Sequence, residues 1–215
     1  MLLQKYFETR LAMIEDSLKS FLSMDKSCDQ ELAAAMNQAV FSGGKRWRTL
    51  LLVATYEMLT GMKKNRNLDN ALAAASAVEI MHNAAFVHDD LPCVMNRKER
   101  RGSPANHIQY GNATAIMAGD ALYTLAFEAL GKISDPVKGI QAVRILATYT
   151  HSYGMIGGQA IALSNKRKQM KINTLRYIDA KKTGALLQAS ADIACLLVNG
   201  TALAVVGDEK ESGIY

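Results

Sequence analysis

Apolar residues recur at helical spacing from the start of the chain. Leu11, Ile14, Leu18 and Phe21 share one face and predict a helix from about Leu2 to Ser23. Ser27 to Gln30 reads as a turn and cap before a second helix, Glu31 to Val40. Ser42-Gly43-Gly44 interrupts the chain. A third helix follows from about Arg46 to Leu59, ended by Gly61 and the solvated run Lys63, Lys64 and Arg66. A long Ala-rich helix is predicted from Leu68 to Asp90, where Leu91-Pro92 stops it. Met95 to His107 reads as a polar, strongly basic loop. Further helices are predicted over Ala113–Leu130, Pro136–Tyr153, Gly157–Ser164, Thr174–Thr183 and Gly184–Val198, before an acidic, polar tail from Gly207 to Tyr215. No linker divides residues 1–215 and no repeat is visible, so the expectation is one all-α domain.

Composition agrees with that pattern. The 215 residues are long enough for one sizeable core, and 49% hydrophobic with 21% charged residues suits a globular chain. Three cysteines at wide spacing argue against a disulfide framework or a Cys-based zinc site, and a reducing, cytoplasmic compartment fits best. The N-terminal stretch carries charges every few residues and reads as an amphipathic helix, not a signal peptide. The longest uncharged stretch, Ile145 to Asn165, holds His151, Ser152, Gln159 and glycines, which makes it a poor membrane span. A net charge of +5 admits nucleic acid, anionic lipid or phosphorylated metabolites. The basic runs at 97–101 and 166–171 lack interleaved aromatics, which disfavours nucleic acid.

Four clusters carry candidate chemistry. In Phe41 to Arg48 two glycines free the backbone and three cations follow. Lys45 and Arg48, three apart, are expected on one face of an opening helix turn whose free N–H groups add to an anion site. In His82 to Asp90, His82 and Asp89 are seven apart and share a helix face, roughly 10 Å along the axis. Asp89 and Asp90 at a helix end meet the negative pole of its dipole, which calls for a cation nearby. Paired carboxylates suit Mg²⁺. In Arg97 to His107 four cations fall within five residues, able to fork phosphate oxygens. Last, Lys182 and Thr183 offer an ammonium and a hydroxyl to another phosphate. Each cluster alone also reads as solvated charge.

Together, in this order and on helices, they resemble the trans-isoprenyl diphosphate synthases. Gly43-Gly44-Lys45-Arg46 with Arg48 matches the family's N-terminal signature. His88-Asp89-Asp90-Leu91-Pro92 matches the opening of its first aspartate-rich motif, which continues in Arg100, Arg101, Gly102, Pro104 and His107. Gly119-Asp120, Gly157-Gly158-Gln159 and Lys182-Thr183 are further landmarks. The resemblance implies an isoprenoid-synthase helical bundle. It also implies condensation of isopentenyl diphosphate with an allylic diphosphate. Lys45, Arg48, His82 and Arg101 would hold the first, and Arg100, Lys182 and Thr183 the second, with Gln159 also at the substrate. Asp89 and Asp90 would hold Mg²⁺, and with Lys182 would serve catalysis. The small Ala84 and Ala85 imply a deep cavity and a longer product such as geranylgeranyl. Dimerisation through the long central helices is implied too, with an apolar face of Ile116, Leu122, Leu125, Phe127 and Leu130 that reads equally as core.

The chain departs from that pattern where metal should bind. Met95 stands where the family has a further Asp, and thioether is a poor Mg²⁺ ligand. Arg97 and Lys98 follow, where acids are usual. One like-charge pair 6 Å apart costs roughly 3 kcal/mol at an effective dielectric of ~20. Ala162 replaces an Asp beyond Gln159, and the chain stops at Tyr215 before a second aspartate-rich motif and the last helices of the bundle. The expectation is weak or no activity alone. The alternative is a non-catalytic regulatory subunit paired, as homodimer or heterodimer, with an active synthase. A metal phosphohydrolase of the His-Asp type also has His88-Asp89, but it needs an upstream His and only His82 is available.

Overall fold

The computed structural model describes residues 2–61, 68–166 and 169–199. Helices α1 (Leu2–Leu22), α2 (Gln30–Phe41), α3 (Trp47–Leu59) and α4 (Asp69–Asp89) come first. A short antiparallel hairpin follows, β1 (Glu99–Arg100) with β2 (Ser103–Pro104). Then come α5 (Asn106–Leu130), α6 (Pro136–Thr150), α7 (Met155–Ser164), α8 (Ile172–Ile178), a π-helical turn at Asp179–Gly184, and α9 (Ala185–Asn199). The fold is the expected all-α bundle.

The centre of the bundle is α4. Ala71, Ala74, Ala75, Ala77, Val78, Ile80, Met81 and Ala84 are all buried, on every side of the helix. A helix without a polar face needs neighbours all round. Here they are α1, α2, α3, α5 and α9. The small residues of α4 let α5 lie along it, and Ala115, Ala118, Leu122, Ala126 and Ala129 of α5 are fully buried. Ile14 and Leu18 of α1 are fully buried, as their spacing predicts, and Leu11 and Phe21 pack at the edge of the core. Helix starts are fixed by side chains. The Asp29 carboxylate accepts from the Leu32 N–H at 2.8 Å, and Asp135, before Pro136, accepts from Val137 N–H at 2.9 Å.

Several boundaries differ from the sequence reading. The helix expected at Ala113 begins at Asn106, with a break at Gly111, whose φ is 83°. The expected basic loop contains the hairpin, turned by Arg101 and Gly102 at φ 54° and 79°. Two positive φ values in a two-residue loop match the twist of paired strands. Helix α6 stops at Thr150, three residues short of Tyr153, and α7 starts at Met155. The helix expected over 174–183 begins at Ile172 and widens to π geometry after Ile178. The run Lys63, Lys64 and Arg66, and the tail Gly207–Tyr215, lie outside the described residues. No described helix is long and apolar enough to cross a membrane. On α5, Leu122, Leu125 and Leu130 are core, Phe127 packs against it, and Ile116 is exposed.

Candidate functional site

The site gathers at the C-terminal end of α4. His82, Phe86 and Asp89 or Asp90 recur at i, i+4 and i+7 or i+8, so they line one edge of the helix. The chain between α2 and α3 reaches this edge because Arg46 is anchored beneath it. Arg46 precedes α3 with a φ of 53° and is almost fully buried. It donates to Glu15 at 2.8 Å, to Glu79 at 2.7 Å and to the Val40 carbonyl at 2.8 Å. Its role is to bury a charge pair and hold the glycine turn, a task distinct from that of Arg48. A lone carboxylate at position 79 of an apolar helix was the available signal for a buried partner.

The anchor also corrects the expected helix turn. Lys45 lies before α3 and is exposed, so it shares no helix face with Arg48. Arg48 is in the first turn and sits 3.1 Å from His82 Nε2. A guanidinium only donates, so Nε2 is the acceptor and the imidazole is neutral with its proton on Nδ1. The environment enforces this. Burial, and then Arg48, Arg101, Arg100 and Arg46, push the His82 pKa down to about 2. Burial also lowers Arg48 and Arg101 from their usual values. The Arg48 Nε is buried and has no hydrogen-bond partner among the described residues.

The hairpin delivers two more guanidinium groups. Arg100 forks Asp90, with Nε and one terminal nitrogen each 2.6 Å from a carboxylate oxygen, and stacks 3.8 Å from the Phe86 ring centroid. Asp90 is buried behind it. Arg101 points the other way, donating to the Gly43 carbonyl and, at 3.2 Å, to Asn83. It thereby ties the glycine turn to α4. A small cleft between α2, α4 and the hairpin, lined by Gln38, Asn83, Phe86, Asp90 and Arg100, lies behind this cluster. Phe86 and Asn83 are site residues that the sequence reading missed. The four-residue step from His82 would have found Phe86.

On the opposite side, Asp89 meets α7 and the π turn. One oxygen accepts from Gln159 Nε2, and the other lies 3.7 Å from Lys182 Nζ. A side chain at position 158 would put its Cβ 2.6 Å from the Lys182 backbone nitrogen, so Gly158 is what lets α7 lie against the turn. Burial raises the Asp89 pKa, opposed by Lys182, Arg100 and Arg97, with Asp90 reinforcing the rise. Thr183 is exposed on the same turn. His88 turns away from Asp89, to the Ile116 carbonyl at 3.1 Å and to Asp120 on α5. Adjacent His88 and Asp89 therefore do not converge as a His-Asp metal pair. Ala84 is wholly in the core and Ala85 partly so.

The two carboxylates do not fit a divalent metal. Both oxygens of Asp90 are taken by Arg100, and those of Asp89 face an amide and an ammonium. Met95, where the resemblance expects a third acid, donates its backbone N–H to the Asp89 carbonyl at 3.0 Å and has only a thioether to offer as a ligand. Among the described residues no three His, Cys, Asp or Glu side chains stand close enough to share an ion. A dication 6 Å from one of these cations is repelled by about 5 kcal/mol at an effective dielectric of ~20.

Residues 29–211 match the sequence profile of the Polyprenyl synthetase family. The chain is 36% identical over 206 residues to geranylgeranyl pyrophosphate synthase 9, chloroplastic, of Arabidopsis thaliana, covering 91% of this chain and 56% of that protein. It is 33% identical over 204 residues to the heterodimeric geranylgeranyl pyrophosphate synthase large subunit 1, chloroplastic, of the same plant, covering 91% and 53%. The apo crystal structure of an FPP/GFPP synthase from Zymomonas mobilis superposes with a TM-score of 0.84 at 32% identity, covering 91% of this chain and 70% of that one. The chain thus spans little more than half the length of those two plant relatives. With fold, motif order and these likenesses in agreement, the chain belongs to the polyprenyl synthetase family, as a trans-isoprenyl diphosphate synthase-like member.

Proposed function

We propose that this chain binds isoprenyl diphosphates and that its own condensation of isopentenyl diphosphate with an allylic diphosphate is weak. Isopentenyl diphosphate is assigned to Lys45, Arg48, His82 and Arg101, and the allylic diphosphate to Arg100, Lys182 and Thr183. The family membership and the convergence of Arg48, Arg100 and Arg101 around His82 support the binding half of this reading. The observation that carries the weak-turnover half is that Asp89 and Asp90 already have Lys182, Gln159 and Arg100 as partners. Carboxylates tied up in this way are poorly placed to organise a leaving diphosphate.

The test is a turnover assay on the purified chain. It supplies isopentenyl diphosphate with dimethylallyl, geranyl or farnesyl diphosphate, in Mg²⁺. The expected rate is at least about a hundredfold below that of a full-length relative, the equivalent of roughly 2.7 kcal/mol in the barrier. Full turnover by this chain alone overturns the weak-turnover half.

A second reading is a non-catalytic partner subunit. It is favoured by the relative described as the large subunit of a heterodimeric synthase, and by Ile116 and Met117 exposed on α5. Adding this chain to an active family member then changes that enzyme's product length or rate. An unchanged product distribution removes this reading.

A further inference from the structure

We propose that the aspartate pair of this chain carries its counter-cations as side chains, so that a diphosphate binds here without a divalent metal. The inference rests on the diphosphate-binding reading above and goes beyond it in naming what neutralises the ligand. It begins from occupancy of the carboxylates. Arg100 takes both oxygens of Asp90 at 2.6 Å, in a bidentate geometry that a metal would have to displace. Lys182 stands 3.7 Å from Asp89, and Gln159 holds the other oxygen. The groups that act on Asp89 are Lys182, Arg100 and Arg97 against one carboxylate, Asp90. Cations therefore outnumber the carboxylates they face before any metal arrives.

The excess charge matches the ligand. The terminal phosphate of a diphosphate carries about −1.5 to −2 at neutral pH. Arg48 and Arg101 add cations about two turns back along α4, at His82 and Asn83, and Glu79 is the acid that both feel. Glu79 itself is already paired with Arg46. The buried Nε of Arg48 has no acceptor among the described residues, and a phosphate oxygen supplies one. Lys182 is the member of the set least tightly tied to its carboxylate. Its contact with Asp89 is loose, its side chain is 35% exposed, and its flexible stem can turn the ammonium from carboxylate to phosphate. Met95, Arg97 and Lys98 act in the same direction, removing a ligand oxygen and adding charge on the metal side.

The experiment is calorimetric titration of the full chain with inorganic pyrophosphate, once in EDTA and once in millimolar Mg²⁺. The expected affinity in Mg²⁺ is no more than threefold tighter than in EDTA, because the metal also lowers the charge of the free ligand. A larger tightening by Mg²⁺ overturns the proposal while leaving diphosphate binding intact. Absence of binding in both buffers overturns the diphosphate reading itself. Lys182→Gln is titrated alongside, with its unfolding temperature as the check on folding. It is expected to bind about tenfold more weakly in EDTA and to gain a Mg²⁺ response, since Asp89 is released. Lys182→Arg should keep the metal-free affinity. A folded Lys182→Gln protein with unchanged affinity in EDTA also overturns the proposal.

Discussion

Arg46, Arg48 and His82 show how neighbouring residues of one motif divide the work. Arg46 is sunk between Glu15 and Glu79, whereas Arg48, two positions on, presents its guanidinium to His82. Removing only the buried cation leaves Glu79 charged and unpaired in the core. Arg46→Met should therefore cost about 3–5 kcal/mol, which lowers the unfolding temperature by about 6–20 °C. Calorimetry on Arg46→Met and on Arg46→Met with Glu79→Met checks this, because the double variant should recover part of the loss. His82 gives a pH prediction. Its folded pKa, pushed down to about 2, lies below the ordinary value of 6.5 in the unfolded chain. Between those values the unfolded state binds the extra proton, so the contribution of His82 to stability is intact above 6.5 and is lost as pH falls. From pH 7 to pH 5 the loss is at most about 2 kcal/mol. The drop in unfolding temperature over that range should be smaller in His82→Gln by about 4–8 °C.

At the scale of elements, the loop after α4 decides the metal chemistry. Met95 and Arg97 stand beside Asp89 where acids would complete a cation cage. Met95→Asp with Arg97→Asp should make pyrophosphate binding respond to Mg²⁺, by tenfold or more in calorimetric affinity. No response would show that the clamps on Asp89 and Asp90 block metal by themselves. This loop also marks how far the sequence was legible. Helices α1, α3 and α4 are legible to within a residue because apolar spacing, Gly61 and Pro92 all point the same way. The hairpin was not, since its two-residue strands bury little and are held by Arg100 on Asp90, a contact between positions ten apart. The first seven residues of α5 escape the reading because the interruption at Gly111 hides the period. The site residues were legible as a set, through motif order, but their pairings were not. Nothing in a one-dimensional pattern says that Arg100 turns to Asp90 while Arg101 turns to Gly43. Nor does it say that Arg46 is the arginine that goes inside.

Across the whole molecule, the site draws its charge from elements far apart in the chain, the start of α3, the hairpin and the π turn. The cations assemble where α3 begins and α4 ends. The dipole of α3 favours an anion there, while that of α4 disfavours Asp89 and Asp90 unless Lys182 and Arg100 compensate. That arrangement leaves one face of α5 without a share in the site. Ile116 is 39% exposed and Met117 is 56% exposed, on a helix whose other side is locked against α4. If this face meets a second copy or a family partner, the 23.4 kDa chain runs at twice its mass, or with the partner, in light scattering. Ile116→Glu with Met117→Lys then gives the mass of a lone chain. In a chain that stays alone, such surface changes move stability by only about 0.5 kcal/mol. In a packed interface they bury two unpaired charges and abolish association. An unchanged unfolding temperature with a halved mass therefore identifies an interface. An unchanged mass removes α5 from the interface and leaves the partner-subunit reading without its structural support.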